Sequence, residues 1–148
     1  MATKTRQSAA ELYEREIREG WNEGRLDIVD ELYAPELESG TTRAGAGTGT
    51  LGDREAIKSM HAEWVEAFPD LKFEITTMLE DGDTVLAAWE VRGTHDGAFR
   101  GIEPTGREID VNGFSYRRAE DGRYVAATDT VSMVNMLAQL GVDLPLQG

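Results

Sequence analysis

The stretch LKFEITTMLEDGDTVLAAWEVRGTH, Leu71 to His95, decides how the chain is read. It consists of two β-rich runs joined through Asp81-Gly82, and an Asp-Gly pair between such runs signals a hairpin. Two more runs follow, REIDVNGFSYRR from Arg107 and RYVAATDTVSM from Arg123, with Asp121-Gly122 between them. Successive runs joined by tight turns predict an antiparallel sheet. Strand side chains alternate between faces, so Val85, Ala87, Trp89, Val91 and His95 share one apolar side. Asp110 and Asn112 alternate with Ile109 and Val111 and are expected in solvent.

Upstream the period changes from two to that of a helix. SAAE at Ser8–Glu11 is a capping box that starts a helix, and Tyr13, Ile17 and Trp21 form its single apolar stripe. RLDIVDELYAPEL reads as a second short helix with Leu26, Val29, Leu32 and Tyr33 inward, stopped by Pro35. SGTTRAGAGTGTLGD has glycines at 40, 45, 47, 49 and 52, so residues 39–52 are expected to be a flexible loop. A third helix spans about 53–68, its inward stripe being Ile57, Met60, His61, Trp64 and Phe68. The tail SMVNMLAQLG forms a last helix, with Ser132 as N-cap and Gly141 just past its end. Helices first and strands afterwards give the α+β class. We expect one domain over 1–148: a cone-shaped barrel, its curved antiparallel sheet closed by the N-terminal helices packed on the concave side and enclosing a pocket.

Composition limits the partners. The 148 residues carry a net charge of −13, which argues against nucleic acid or an anionic membrane surface. Lysine occurs only at Lys4, Lys58 and Lys72, and a carboxylate surface poor in lysine suits a halophilic cell, where salt screens self-repulsion. The plain alternative is a well-solvated acidic protein. With no cysteine, disulfides, thiolate metal sites and a cysteine nucleophile are excluded. No run of eighteen apolar residues spans a membrane, and the N-terminal segment lacks the apolar core of a signal peptide, so a cytoplasmic location is expected.

The ordered set AFPDL, EDGDTV, GTHDGAFRGIEPTGRE, DGR and QLG resembles the SnoaL-like polyketide cyclase (ester cyclase) family, of the nuclear-transport-factor-like superfamily. The resemblance runs from WNEGRLDIVDELYAPE to Gly141. It implies the cone-shaped fold, a small hydrophobic or aromatic carbonyl compound as ligand, and a homodimer, in keeping with the β-branched outer faces of the strands. It also implies chemistry with neither metal nor organic cofactor: an aspartate in an apolar pocket moves a proton in an aldol cyclisation, an isomerisation or a dehydration. The same fold also serves non-catalytic binding modules.

Carried onto this chain, the family's last strand places its tryptophan at Thr128 and its acid/base aspartate at Ser132. The histidine that often follows its second helix has no counterpart in APELESG. If that register holds, Thr128, Thr130 and Ser132 face inward and leave a hydroxyl-lined pocket. The nearest acid, Asp129, is three residues early and faces away unless a bulge turns it back; otherwise it pairs with an arginine on a sheet face or dimer interface. His95 matches the family's histidine. It either acts on the substrate oxygen, imidazole being the side chain that changes charge near neutrality, or pins the loop through backbone bonds. His61 is either a core residue or a substrate contact. Trp64, Phe68, Trp89 and Phe99 are either core or ligand wall. Two histidines without a third ligand make no zinc site. The long connection from Thr94 to Gly106 is expected to form the rim, with His95 at its inner edge and Phe99 over the mouth. Two functions stay open: a polyketide-cyclase-like lyase or isomerase using His95 and Asp129, and a ligand-binding or dimeric interaction module that has lost the family's aspartate.

Overall fold

The computed structural model describes residues 7–37 and 54–143, so the glycine-rich segment 39–52 lies outside the described residues. The chain opens with helix α1 (Ala9–Arg15), continues into a π-helical segment (Glu16–Asn22), then α2 (Ile28–Leu32) and α3 (Arg54–Ala67). Four strands follow, β1 (Lys72–Asp81), β2 (Thr84–Thr94), β3 (Glu108–Glu120) and β4 (Arg123–Val131), and α4 (Met133–Gln139) closes the order. The strands form one antiparallel sheet in sequence order, as a chain of hairpins should. The fold is α+β as expected.

Local chemistry sets most boundaries. Ser8 Oγ accepts from Glu11 N while the Glu11 carboxylate accepts from Ser8 N, so both halves of the capping box are made. Asp121 and Gly122 both have positive φ, 53° and 81°, which is the type I′ geometry whose twist matches the strands. The β1–β2 turn falls one residue later than expected: Asp81 pairs with Thr84, so Gly82-Asp83 are the central residues, and Gly82 takes φ 60°. At the other end Gly141, with φ 86°, donates to Ala138 O while Val142 donates to Leu137 O, a Schellman close.

Two helical expectations change. The first helix does not stay α-helical: from Glu16 it widens to π, where Glu23 N reaches back five residues to Arg18 O. Second, α2 is shorter than read, and Leu26, expected inward, lies exposed ahead of it.

The core fills the space between the helices and the inner sheet face, with Leu12, Ile28, Leu32, Ala67, Phe68, Val85, Val91 and Tyr124 almost wholly buried. Alternation is strict along β3: Ile109, Val111, Gly113, Ser115, Arg117 and Ala119 are buried while Asp110 and Asn112 are exposed. Along β4 it breaks. Arg118 pairs with Ala126 and Ala119 with Tyr124, so Val125 is an extra residue in a β-bulge. A single inserted residue exchanges the two faces of everything beyond it.

Candidate functional site

That bulge positions the acid. Before it Tyr124 faces inward; beyond it the inward set is Ala127, Asp129 and Val131, and Asp129 pairs directly with Ser115 of β3. Thr128 and Thr130 stand opposite Tyr116 and Phe114 on the outer face. The expectation that Thr128, Thr130 and Ser132 face inward is therefore corrected by the bulge. Ser132 donates from Oγ to Asn112 Oδ1 at 2.8 Å and makes no N-cap bond to α4.

Asp129 lines a cavity between the first helix, α3 and all four strands. It is open to solvent on one side, and its wall is mostly Tyr13, Trp21, Met60, Trp64, Phe73 and Trp89. The polar groups are concentrated on β3 and β4. Ser115 Oγ donates to Asp129 Oδ1 at 2.6 Å, and itself accepts from Tyr13 Oη at 2.8 Å and Trp89 Nε1 at 2.9 Å. One hydroxyl thus satisfies two aromatic donors and steers the carboxylate.

Behind Asp129 lies a buried charge cluster. Arg117, 2% exposed, forks onto Asp129 with Nη1–Oδ1 2.8 Å and Nη2–Oδ2 3.1 Å. The same guanidinium forks onto Glu16, Nε–Oε1 3.2 Å and Nη2–Oε2 3.0 Å, and gives its remaining donor to the carbonyl of Tyr116 at 3.0 Å. Tyr33 Oη donates to Glu16 Oε2 at 3.0 Å. The rings of Tyr13, Tyr33 and Tyr124 stand 5.5–5.8 Å from the guanidinium carbon. Burial alone would lower the Arg117 pKa, but Asp129 and Glu16 together hold it well above the ordinary value. Burial pushes the Tyr13, Tyr33 and Tyr124 hydroxyls up, so these phenols stay protonated at any working pH. Removing one member of such a cluster strands a buried charge, at about 3–5 kcal/mol.

Glu16 and Arg117 were missed in the sequence, yet both carried a signal. Arg117 continues the alternation that buries Ile109 and Val111, and Glu16 follows Leu12 and Tyr13 at helical spacing on the apolar stripe.

The other anticipated residues fall in three places. Trp64 and Trp89 share the cavity wall with Asp129. Phe68 and Phe99 lie in the core behind it: Phe99, expected over the mouth, is 0% exposed and packs 5.1 Å from Trp64 and 5.7 Å from Phe68, ring centre to ring centre. His95 is buried outside the cavity wall beside Phe68. Its Nδ1 accepts from Thr105 N at 3.2 Å and lies 3.0 Å from Thr105 Oγ1, while its backbone pairs with Arg107 and Gly106. His61 Nε2 donates to Gly20 O at 2.6 Å, and burial pushes its pKa down. It borders a small crevice with Glu16, Ile28, Tyr33 and Met60.

The 95–106 connection contributes to the rim through one residue, Arg100. Its base is fixed to the end of α3, where Asp96 N and Gly97 N donate to Ala67 O. A Cβ at Gly97 would sit 2.3 Å from Glu66 O, so only glycine permits that approach. Among the described residues no group of three or more His, Asp or Glu is placed to hold a metal ion. No helix there is long and apolar enough to cross a membrane.

Over residues 11–140 the sequence matches the SnoaL-like polyketide cyclase family. The chain belongs to that family. No curated protein matches it significantly. Among solved structures, wild-type IdmH of Streptomyces antibioticus, provisionally a polyketide cyclase, is 30% identical with a TM-score of 0.77, covering 92% of this chain and 100% of that one. A provisional SnoaL-like polyketide cyclase of Jannaschia sp. CCS1 shares the fold at 20% identity and a TM-score of 0.81, covering 97% and 99%. AclR of Streptomyces galilaeus, provisionally a hydroxylase, does so at 24% and 0.78, covering 95% and 84%. A shared fold does not fix a reaction, so the cavity has to supply the functional argument.

Proposed function

We propose that this SnoaL-like protein binds a small hydrophobic, flat carbonyl compound and moves a proton on it without a cofactor, with Asp129 as the acid/base group. The observation that carries the reading is the Asp129 carboxylate, 29% exposed, on the wall of an aromatic cavity. Aromatic walls orient a planar substrate, and a carboxylate at the cavity surface can take a proton from carbon next to a carbonyl. Arg117 and Ser115 fix its direction. The donors of Arg117, Tyr13 and Trp89 are already engaged within the protein, so few are left for the oxygen of a developing enolate. The reading therefore favours a substrate whose own conjugated carbonyls spread the charge, as in an aldol cyclisation or an isomerisation. His95 is assigned to holding the rim, since its Nδ1 is engaged by Thr105.

A second reading, a ligand-binding module, is favoured by the same ion pair: both Asp129 oxygens are engaged, as in a structural bridge, and Ser132 stands where the resemblance expects the aspartate. In either case we infer a homodimer. The deciding experiment is a thermal-shift screen of aromatic polyketides and steroids, followed by turnover of each compound that binds. Asp129→Asn is expected to lower kcat/KM by about 10²-fold or more, while His95→Gln leaves it within a few-fold. Binding with no turnover of any bound compound sinks the catalytic reading in favour of the module.

A further inference from the structure

Among the described residues the cavity wall holds two cations, Arg100 and Arg117, and of these Arg100 has donors to spare. Arg117 spends its guanidinium on Glu16, Asp129 and the Tyr116 carbonyl. Arg100 makes, among the described residues, one long hydrogen bond, Nε to Glu63 Oε1 at 3.4 Å, and its side chain is 23% exposed. Its backbone is equally unusual. Phe99 and Ile102 exchange both hydrogen bonds of a two-residue turn, with Arg100 at φ 49° and Gly101 at φ 83°. Positive φ at both central residues calls for asparagine or glycine, so an arginine there is held in a strained backbone conformation. The turn is held rigidly, because Phe99 is sunk among Trp64 and Phe68, and the Arg100 guanidinium lies 5.1 Å over the Phe99 ring.

We propose that Arg100 is a specificity-determining residue that receives the carboxylate of an aromatic carboxylic acid. This rests on the aromatic-cavity reading above and narrows it to an anionic substrate class. The chemistry follows from the guanidinium. Its terminal nitrogens form a planar fork that matches a carboxylate, and charge-assisted bonds of this kind are about twice as strong as neutral ones. Apart from Ser115 and Asp129, the rest of the described wall is aromatic or otherwise apolar, and its other cation, Arg117, is already paired with two carboxylates, Asp129 among them. An acid with a flat apolar body and one anionic end complements both features; a neutral analogue leaves the fork unused.

Isothermal titration calorimetry of the full chain with 2-naphthoate and with the neutral 2-naphthamide tests this. The wild type is expected to prefer the acid by roughly tenfold or more. Arg100→Gln is expected to remove the preference while leaving the amide affinity unchanged, and Arg100→Lys, which keeps the charge but not the fork, to retain only part of it. Unchanged amide binding shows that each variant is folded. Equal affinity of the wild type for both probes, or a preference that survives in Arg100→Gln, overturns the assignment and leaves the aromatic cavity standing. Failure of both probes to bind the wild type overturns the cavity reading and the Arg100 assignment with it.

Discussion

At the scale of single residues, His61 has a definite protonation problem. Gly20 O can only accept, so the imidazole carries its proton on Nε2, and Nδ1 is buried with no hydrogen-bond partner among the described residues. A second proton would place a charge beside the Trp21 ring, 4.3 Å away between centres. Burial is the largest influence and pushes the pKa below its ordinary value; the Gly20 carbonyl and the Glu16 charge oppose it without reversing it. The unfolded chain therefore binds a proton more readily than the folded one, and the stability present above about pH 6.5 is lost as the pH falls below that value. Urea unfolding of the wild type is expected to shift to a lower midpoint between about pH 7 and pH 5.5. His61→Gln keeps a donor for Gly20 and removes the titration, so its midpoint should fall less. Parallel curves for the two proteins would assign the acid sensitivity elsewhere.

At the scale of elements, the sheet shows why alternation is legible until it is interrupted. The hairpins, the capping box and the inward face of β2 follow from turn residues and period, which are local properties. Val125 looks like any strand valine, and no local property marks it as the residue β3 passes over. Everything downstream of it is turned round, and that is how Asp129 reaches the cavity while Thr128 leaves it. The register of the resemblance sets Ser132 at the family's acid position and turns Thr128, Thr130 and Ser132 inward; the bulge reverses those faces and brings Asp129 in, where its arginine partner is Arg117. Phe99 was misplaced for another reason: its exposure depends on how a loop folds back on α3, which periodicity does not encode. Gly113 shows the tolerance within the sheet. A Cβ there would lie 2.3 Å from Thr130 O and 2.4 Å from Trp89 Cη2. The indole crosses β3 at this point to reach Ser115, so Gly113→Ala must push it out of place. We expect a loss of roughly 1–3 kcal/mol in chemical unfolding, with a change in tryptophan emission as the Trp89–Ser115 bond breaks. An alanine variant with wild-type stability and emission would mean that the sheet yields instead.

At the scale of the whole molecule, the outer sheet face has the composition of an interface. Leu79 pairs with Leu86, Leu86 with Tyr116, and Ala88 with Phe114, and Leu79, Leu86 and Phe114 are exposed, Phe114 by 62%. An apolar row of this kind across three strands is unusual on the free surface of a monomer. A second copy of the chain is the partner it suits best, because a two-fold axis sets the same patch against itself. The net charge of −13 per chain works against that association. Salt should therefore tighten it, since added ions screen charges separated by more than a few ångströms while leaving the apolar contact intact. Light scattering on a 16.3 kDa chain is expected to give twice the chain mass, with a dissociation constant that falls as salt rises toward about 1 M. Phe114→Glu, which buries a carboxylate opposite its own symmetry mate, should yield monomers. Its cavity faces the other side of the sheet, so ligand affinity should survive the change. A wild type that stays monomeric at high salt would leave the outer face to some other partner. A Phe114→Glu protein that stays dimeric would place the interface elsewhere.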